Sequence, residues 1–161
     1  MVHEQPVKSA RVENKELAED FSKYNGKWVK VKRAGENGES RLEITFKNDK
    51  RNVDILFIEE SANQAHIADI EASFKINSDG TGEFYFDNDG WFHEGKGRIS
   101  FEKNQIRLNI FAIKNNNEYS NQPSEVRDSW KVHEGETVFE REQDKTRLDN
   151  IIVEGEVSET R

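Results

Sequence analysis

The 161-residue chain contains no cysteine. Disulfides, thiolate-held zinc and a cysteine nucleophile are therefore excluded, while the redox compartment stays open. Prolines number only two, Pro6 and Pro123, and both fall in polar, aperiodic stretches. Hydrophobic residues are scarce at 33% against 35% charged, with a mean hydropathy of -0.98. Ten Phe, three Tyr and three Trp nevertheless supply enough bulk for a thin core. Basic residues are outnumbered, 24 Lys and Arg against 32 Asp and Glu, for a net charge of -8. No global positive field exists to attract nucleic acid or an anionic bilayer. No run approaches the roughly 20 apolar residues of a membrane helix, and Met1 to Arg11 lacks the apolar core of a signal peptide. The expectation is one soluble domain, with any membrane association made through a lipid anchor outside this sequence.

Residues 1–12 are polar and aperiodic and read as a flexible arm, 13–152 as the domain, and 153–161 as a frayed tail. In Glu13 to Tyr24 the spacing of Leu17, Phe21 and Tyr24 predicts a helix of one to three turns, capped by Asn14. From Gly26 the period becomes two. Arg41 to Lys47, Ile70 to Ile76 and Ile106 to Ile110 alternate apolar and polar residues. Shorter alternations occur at Val29 and Val31, at Val53, Ile55 and Phe57, at Phe84 and Phe86, at Ile99 and Phe101, and at Val138 and Phe139. Turn residues at Gly35-Glu36-Asn37-Gly38, Asn48-Asp49-Lys50, Ser78-Asp79-Gly80, Asn88-Asp89-Gly90 and Glu102-Lys103-Asn104 separate these runs. Such short links forbid parallel pairing and predict an antiparallel meander of about eight strands. A second helix is expected from Gln143 to Ile152, presenting Leu148, Ile151 and Ile152. Trp91-Phe92-His93-Glu94-Gly95 and Trp130-Lys131-Val132-His133-Glu134-Gly135 echo each other and read as two hairpins turning at His-Glu-Gly.

One polar face on every strand means one buried face, and eight such strands lose their free edges most completely by closing into an all-β up-and-down barrel. An eight-stranded barrel is either filled by side chains or just wide enough for one small ligand. Phe46, Phe57, Phe74, Phe84, Phe86 and Phe101 are the inward candidates, and they suit either a packed core or the lining of an apolar pocket.

The segment Asp20 to Arg33, with Gly26 and Trp28 as a Gly-x-Trp motif after a helical turn, resembles the opening of lipocalins. Of that family it is most similar to the divergent lipocalin-like or calycin-like domains of bacterial surface lipoproteins. The resemblance implies a barrel with short N- and C-terminal helices, in which Arg141 of the last strand packs on Trp28. It also implies an extracytoplasmic, cell-envelope or secreted setting and a small apolar or amphipathic ligand bound without chemistry or cofactor. The Lys30 and Lys32 positions, in phase with Trp28, imply cations on the inner face unless Val29 and Val31 turn inward instead.

Chemistry beyond binding finds little footing. His3, His66, His93 and His133 form no zinc-binding spacing, and His93 and His133 read as exposed turn residues. Asp87-Asn88-Asp89-Gly90 lacks the alternating ligands of a calcium loop, and no Gly-x-Ser-x-Gly is present. Gly80-Thr81-Gly82 and Gly95-Lys96-Gly97 are placed in hairpins and not in phosphate loops. Aromatic residues beside turns are the better lead. Trp91-Phe92 and Trp130 are placed at a barrel rim, and Tyr119 on a long polar loop over it, where they would stack on a ligand or partner, with Tyr85 a weaker candidate. Lys30, Lys32, Arg98 and Arg107 are the cations available to an acidic ligand head. The readings left open are a ligand-holding barrel and a filled barrel acting as a surface or protein-interaction module.

Overall fold

The structure, a computed structural model, describes residues 20–32, 38–62 and 65–142. The arm, the tail, the proposed helix over Gln143 to Ile152 and the Asn14 cap lie outside those residues. The predicted strands are all present, as β1 (Gly26–Lys30), β2 (Glu39–Phe46), β3 (Asn52–Glu60), β4 (Ile67–Lys75), β5 (Thr81–Phe86), β6 (His93–Glu102), β7 (Gln105–Asn115) and β8 (Gly135–Arg141). They form one antiparallel sheet in the order β4-β3-β2-β1-β8-β7-β6-β5. The β1–β8 ladder, with Trp28 opposite Arg141 and Lys30 opposite Phe139, bends the meander into a nearly closed barrel. The fold is compatible with the lipocalin-like expectation.

Closure is incomplete between β4 and β5, which share no ladder. Side chains bridge this seam. The Phe74 ring lies so close over Gly82 that a Cβ there would sit 2.4 Å from it, and Phe74 meets Phe84 at 5.9 Å between ring centroids. At one end of the seam the Asp69 amide donates to the Asp89 carbonyl at 3.1 Å.

Inward residues recur every second position: Leu42, Ile44 and Phe46 on β2, Val53, Ile55 and Phe57 on β3, Ile106, Leu108 and Ile110 on β7. Gly95 and Gly97 keep the same inward phase on β6, and Phe86 and Phe84 of β5 lie flat over them. Gly82, Gly95 and Gly97 thus lie in the β5–β6 hairpin, as predicted, at strand positions that admit rings. The lumen is packed. Phe57, Phe86 and Phe139 are at most 1% exposed, so no water-sized space adjoins them. Each such ring contributes roughly 1.5 to 3 kcal/mol by leaving water.

One barrel end is closed by the predicted N-terminal motif. A 3-10 turn, Phe21–Tyr24, is capped by Asp20, whose side chain accepts from the Ser22 amide. It delivers Phe21 and Tyr24 against Phe101, with Tyr24 stacked on Phe101 at 4.8 Å and its hydroxyl donating to the Glu102 carbonyl. Gly26 takes φ +120, which favours glycine, and the space over it is filled by the Arg141 guanidinium. That guanidinium stands 4.3 Å from the Trp28 ring and donates to the carbonyls of Asn25 and Lys23. The Trp28 indole donates to the Tyr24 carbonyl at 2.9 Å. Trp28 points inward, Lys30 is half-buried, Val31 is exposed, and Lys32 lies beyond the strand in an ion pair with Glu39.

Candidate functional site

The opposite end of the barrel collects the residues with unusual chemistry. Here β5 passes to β6 through Asp87 to Phe92. Asn88 accepts from the amides of Gly90 and Phe92, and Asp89 accepts from those of Trp91 and His93. These side chain to backbone bonds hold Phe92 at φ +69, a strained conformation for a bulky residue. Asp89 is fully buried. Its carboxylate also meets His93 Nδ1 at 3.0 Å and accepts from the Val132 amide at 3.0 Å. Buried charge requires such compensation.

The Val132 bond belongs to a strap. Residues 130–134 form no strand; they cross the barrel end before β8 begins at Gly135. The expected second hairpin is thus absent, and in its counterpart His93-Glu94-Gly95 opens β6 instead of turning. Val132 is fully buried and plugs the end. On the other side of the strap, Glu59 of β3 accepts from the His133 amide at 3.0 Å and meets His133 Nδ1 at 2.6 Å. Two carboxylates from opposite halves of the sheet therefore fasten adjacent strap residues. Of the two histidines expected to be exposed, His133 is, while His93 is buried because its strand phase matches Gly95, Gly97 and Ile99.

Trp91 and His66 pack with the strap's own Trp130 and His133. His66 stacks on Trp130 at 5.6 Å and meets Trp91 at 5.4 Å, Trp91 and Trp130 meet edge to face at 6.0 Å, and Trp130 meets His133 at 5.8 Å. The Trp91 indole donates to the Ile67 carbonyl. Both indoles are half-buried, so the rim predicted from sequence exists as a self-packed cluster. Tyr119 follows in a 3-10 turn, Asn117–Tyr119, its ring 5.3 Å from Phe92. Asn116, buried, anchors that turn by donating to the Asp87 carbonyl and accepting from the Glu118 amide. The long polar loop predicted around Tyr119 also carries a short helix, α1 (Ser124–Ser129).

Between β7, α1 and the strap lies a cleft of about 290 Å³, lined by His93, Ile113, Lys114, Asn115, Arg127, Asp128, Trp130 and Lys131. A β-bulge builds one wall. The β6–β7 register slips between Glu94 and Lys96, Ala112 takes φ +56, and the slip changes the phase of β7, so that Ile113 packs against the core instead of facing out like Asn109.

The remaining site candidates are dispersed. Phe46, Phe57, Phe74, Phe84, Phe86 and Phe101 all face the packed lumen. Gly26, Trp28 and Arg141 build the far end. Arg98 pairs with Glu83, and Arg107 with Glu102 and Glu136, on the outer faces of their strands. Tyr85 is outward and donates to Glu94; partial desolvation and that bond raise its pKa above the usual phenol value. The residues that sequence reading passed over are Asp89, Glu59, Asn116 and Arg127. Glu59 left a trace, because it continues the inward phase of Val53, Ile55 and Phe57.

No group of three or more His, Asp or Glu able to hold a metal occurs among the described residues, and no helix among them is long and apolar enough to cross a membrane. No protein-family model matches the chain, and no curated protein and no solved structure matches it.

Proposed function

We propose that this protein is a non-catalytic binding domain that takes a small amphipathic ligand at the strapped end of a filled barrel, in the cleft beside Trp130. One observation carries the reading: the lumen residues are packed to near-zero exposure, whereas the strapped end offers an open cleft with an indole and an aliphatic wall beside polar groups. Half-buried aromatics that present an apolar body with a polar edge suit such contact. The resemblance to lipocalin-like domains of bacterial surface lipoproteins suggests the cell envelope or its exterior as the setting, and the net charge of -8 argues against nucleic acid as the partner.

A second reading, a ligand within the barrel, is favoured by the β4–β5 seam. Opening it breaks the Phe74 packing, the Asp69–Asp89 bond and the Trp91–Ile67 bond but no strand ladder. Titration with an environment-sensitive fatty-acid-like fluorophore separates the two. Saturable one-to-one quenching that is lost in Trp130→Phe supports the cleft. Quenching of an interior reporter, Phe84→Trp, moves the ligand into the barrel and overturns the cleft reading.

A further inference from the structure

We propose that the cleft selects a small organic anion, with Arg127 and Lys131 facing the charge and Trp130 and Ile113 facing a planar or apolar body. The inference rests on the cleft reading above and adds the chemical class. Arg127 is the central observation. Its half-buried side chain lines the cleft, and its Nε, shielded from solvent, has no hydrogen-bond partner, so a shift of the guanidinium that pairs it with an acceptor in the cleft is favourable. A guanidinium presents a planar fork that matches a carboxylate.

The other charges fit the same picture. Among the described residues, Arg127 and Lys131 enter no ion pair, whereas Lys114 is engaged by Glu94 at 3.1 Å. Asp128, the acid on the rim, is exposed and lies within ion-pairing distance of neither free cation. His93 contributes to the lining, its Nδ1 committed to Asp89, and the Asp89 charge behind it is already met by three backbone amides. The apolar side is equally specific. The bulge at Ala112 brings Ile113 to the wall, and His66 holds the Trp130 ring in place by stacking. Two free cations facing an aromatic and an aliphatic surface across about 290 Å³ suit an aromatic or short aliphatic carboxylate better than a bare inorganic ion.

The test uses the full chain, labelled with nitrogen-15, and three near-isosteric probes: benzoate, benzamide and benzylammonium. Benzoate is expected to shift the Trp130 indole and the Lys131 and Val132 amides saturably. The neutral and cationic probes should bind at least about tenfold more weakly, the factor carried by one charge-assisted hydrogen bond. Arg127→Gln, at a half-buried position, and Lys131→Gln, at an exposed one, should each bring benzoate close to benzamide, while Lys103→Gln at the opposite barrel end leaves it unchanged. Equal affinity for benzoate and benzamide, or indifference to both cleft substitutions, overturns the anion assignment and leaves the cleft reading standing. Shifts confined to lumen residues such as Phe84 and Phe86, or none with any probe, overturn the cleft reading itself.

Discussion

Gly97→Ala measures directly whether the barrel has room inside. A Cβ on Gly97 would stand 2.0 Å from Phe84 Cζ and 2.5 Å from both Cε atoms. Ordinary contact begins near 3.4 Å, so the ring must retreat by about 1.4 Å (3.4 less 2.0). Phe84 is 5% exposed and is flanked by Phe74, so the retreat compresses packed neighbours. Overpacking of this kind costs about 1 to 3 kcal/mol. Against it stands the ordinary benefit of replacing glycine inside a strand, roughly 0.5 to 1 kcal/mol. The net expectation is a loss of about 0 to 2.5 kcal/mol in urea unfolding, centred a little above 1, from the difference of those two ranges. Adding Phe84→Leu should recover part of the loss, giving a non-additive pair. A Gly97→Ala that stabilises by the full gain of a glycine replacement, about 0.5 to 1 kcal/mol, would show that Phe84 has free space to enter, and the packed-lumen argument would fall.

Other expectations follow from the two barrel ends. A double-mutant cycle with Trp28→Phe and Arg141→Gln should return a coupling of about 0.5 to 2 kcal/mol for the stacked cation, and a coupling near zero would reject the interaction. Asp89→Ala should destabilise by about 3 to 5 kcal/mol in denaturant titration, because it strands three backbone amides and the His93 ring in a buried site. A loss no larger than that of an exposed substitution would mean the strap is not held there. At low pH, hydrogen bonds from Ser22 lower the Asp20 pKa to about 2, and amides of Asn52 and Arg51 lower that of Asp49 to about 2. Because the folded values are depressed, their stabilising contribution is complete above the unfolded value near 3.8 and is lost as pH falls through about 2. Asp49→Asn should flatten the melting temperature profile across that window, and an unchanged slope would contradict the assignment.

The strands were legible because each buries one face, and alternation at Arg41 to Lys47 or Ile106 to Ile110 records that face residue by residue. The Trp28 end was legible through a short local motif whose partner, Arg141, arrives by the final strand. The strapped end was harder to read for physical reasons. Asp89 sits in an Asn-Asp-Gly turn, where an acid normally serves the turn and faces water; its burial depends on Val132, 43 residues away. The bulge at Ala112 breaks the two-residue period at a residue with no turn preference. Helix α1 spans only six residues and none of them is buried, so it has no apolar period to detect. The seam was hidden because Ser78-Asp79-Gly80 has the composition of any tight turn, while the strands that flank it are held apart by a Phe74 ring laid over Gly82.

The seam also describes how the molecule is assembled. Strands β1 to β4 form one local meander and β5 to β8 another, and the ladder joining them consists of three residue pairs at β1 and β8. Each half can organise through neighbours close in sequence, whereas joining them brings Trp28 to Arg141 across most of the chain. Closure therefore carries the largest loop-closure entropy of any ladder in the barrel. Until it occurs both halves display unpaired outer strands, which another copy's complementary half could fill in the same register. Exchange of halves between two chains, hinged at Asn77 to Gly80, would preserve every ladder of the barrel while making a dimer.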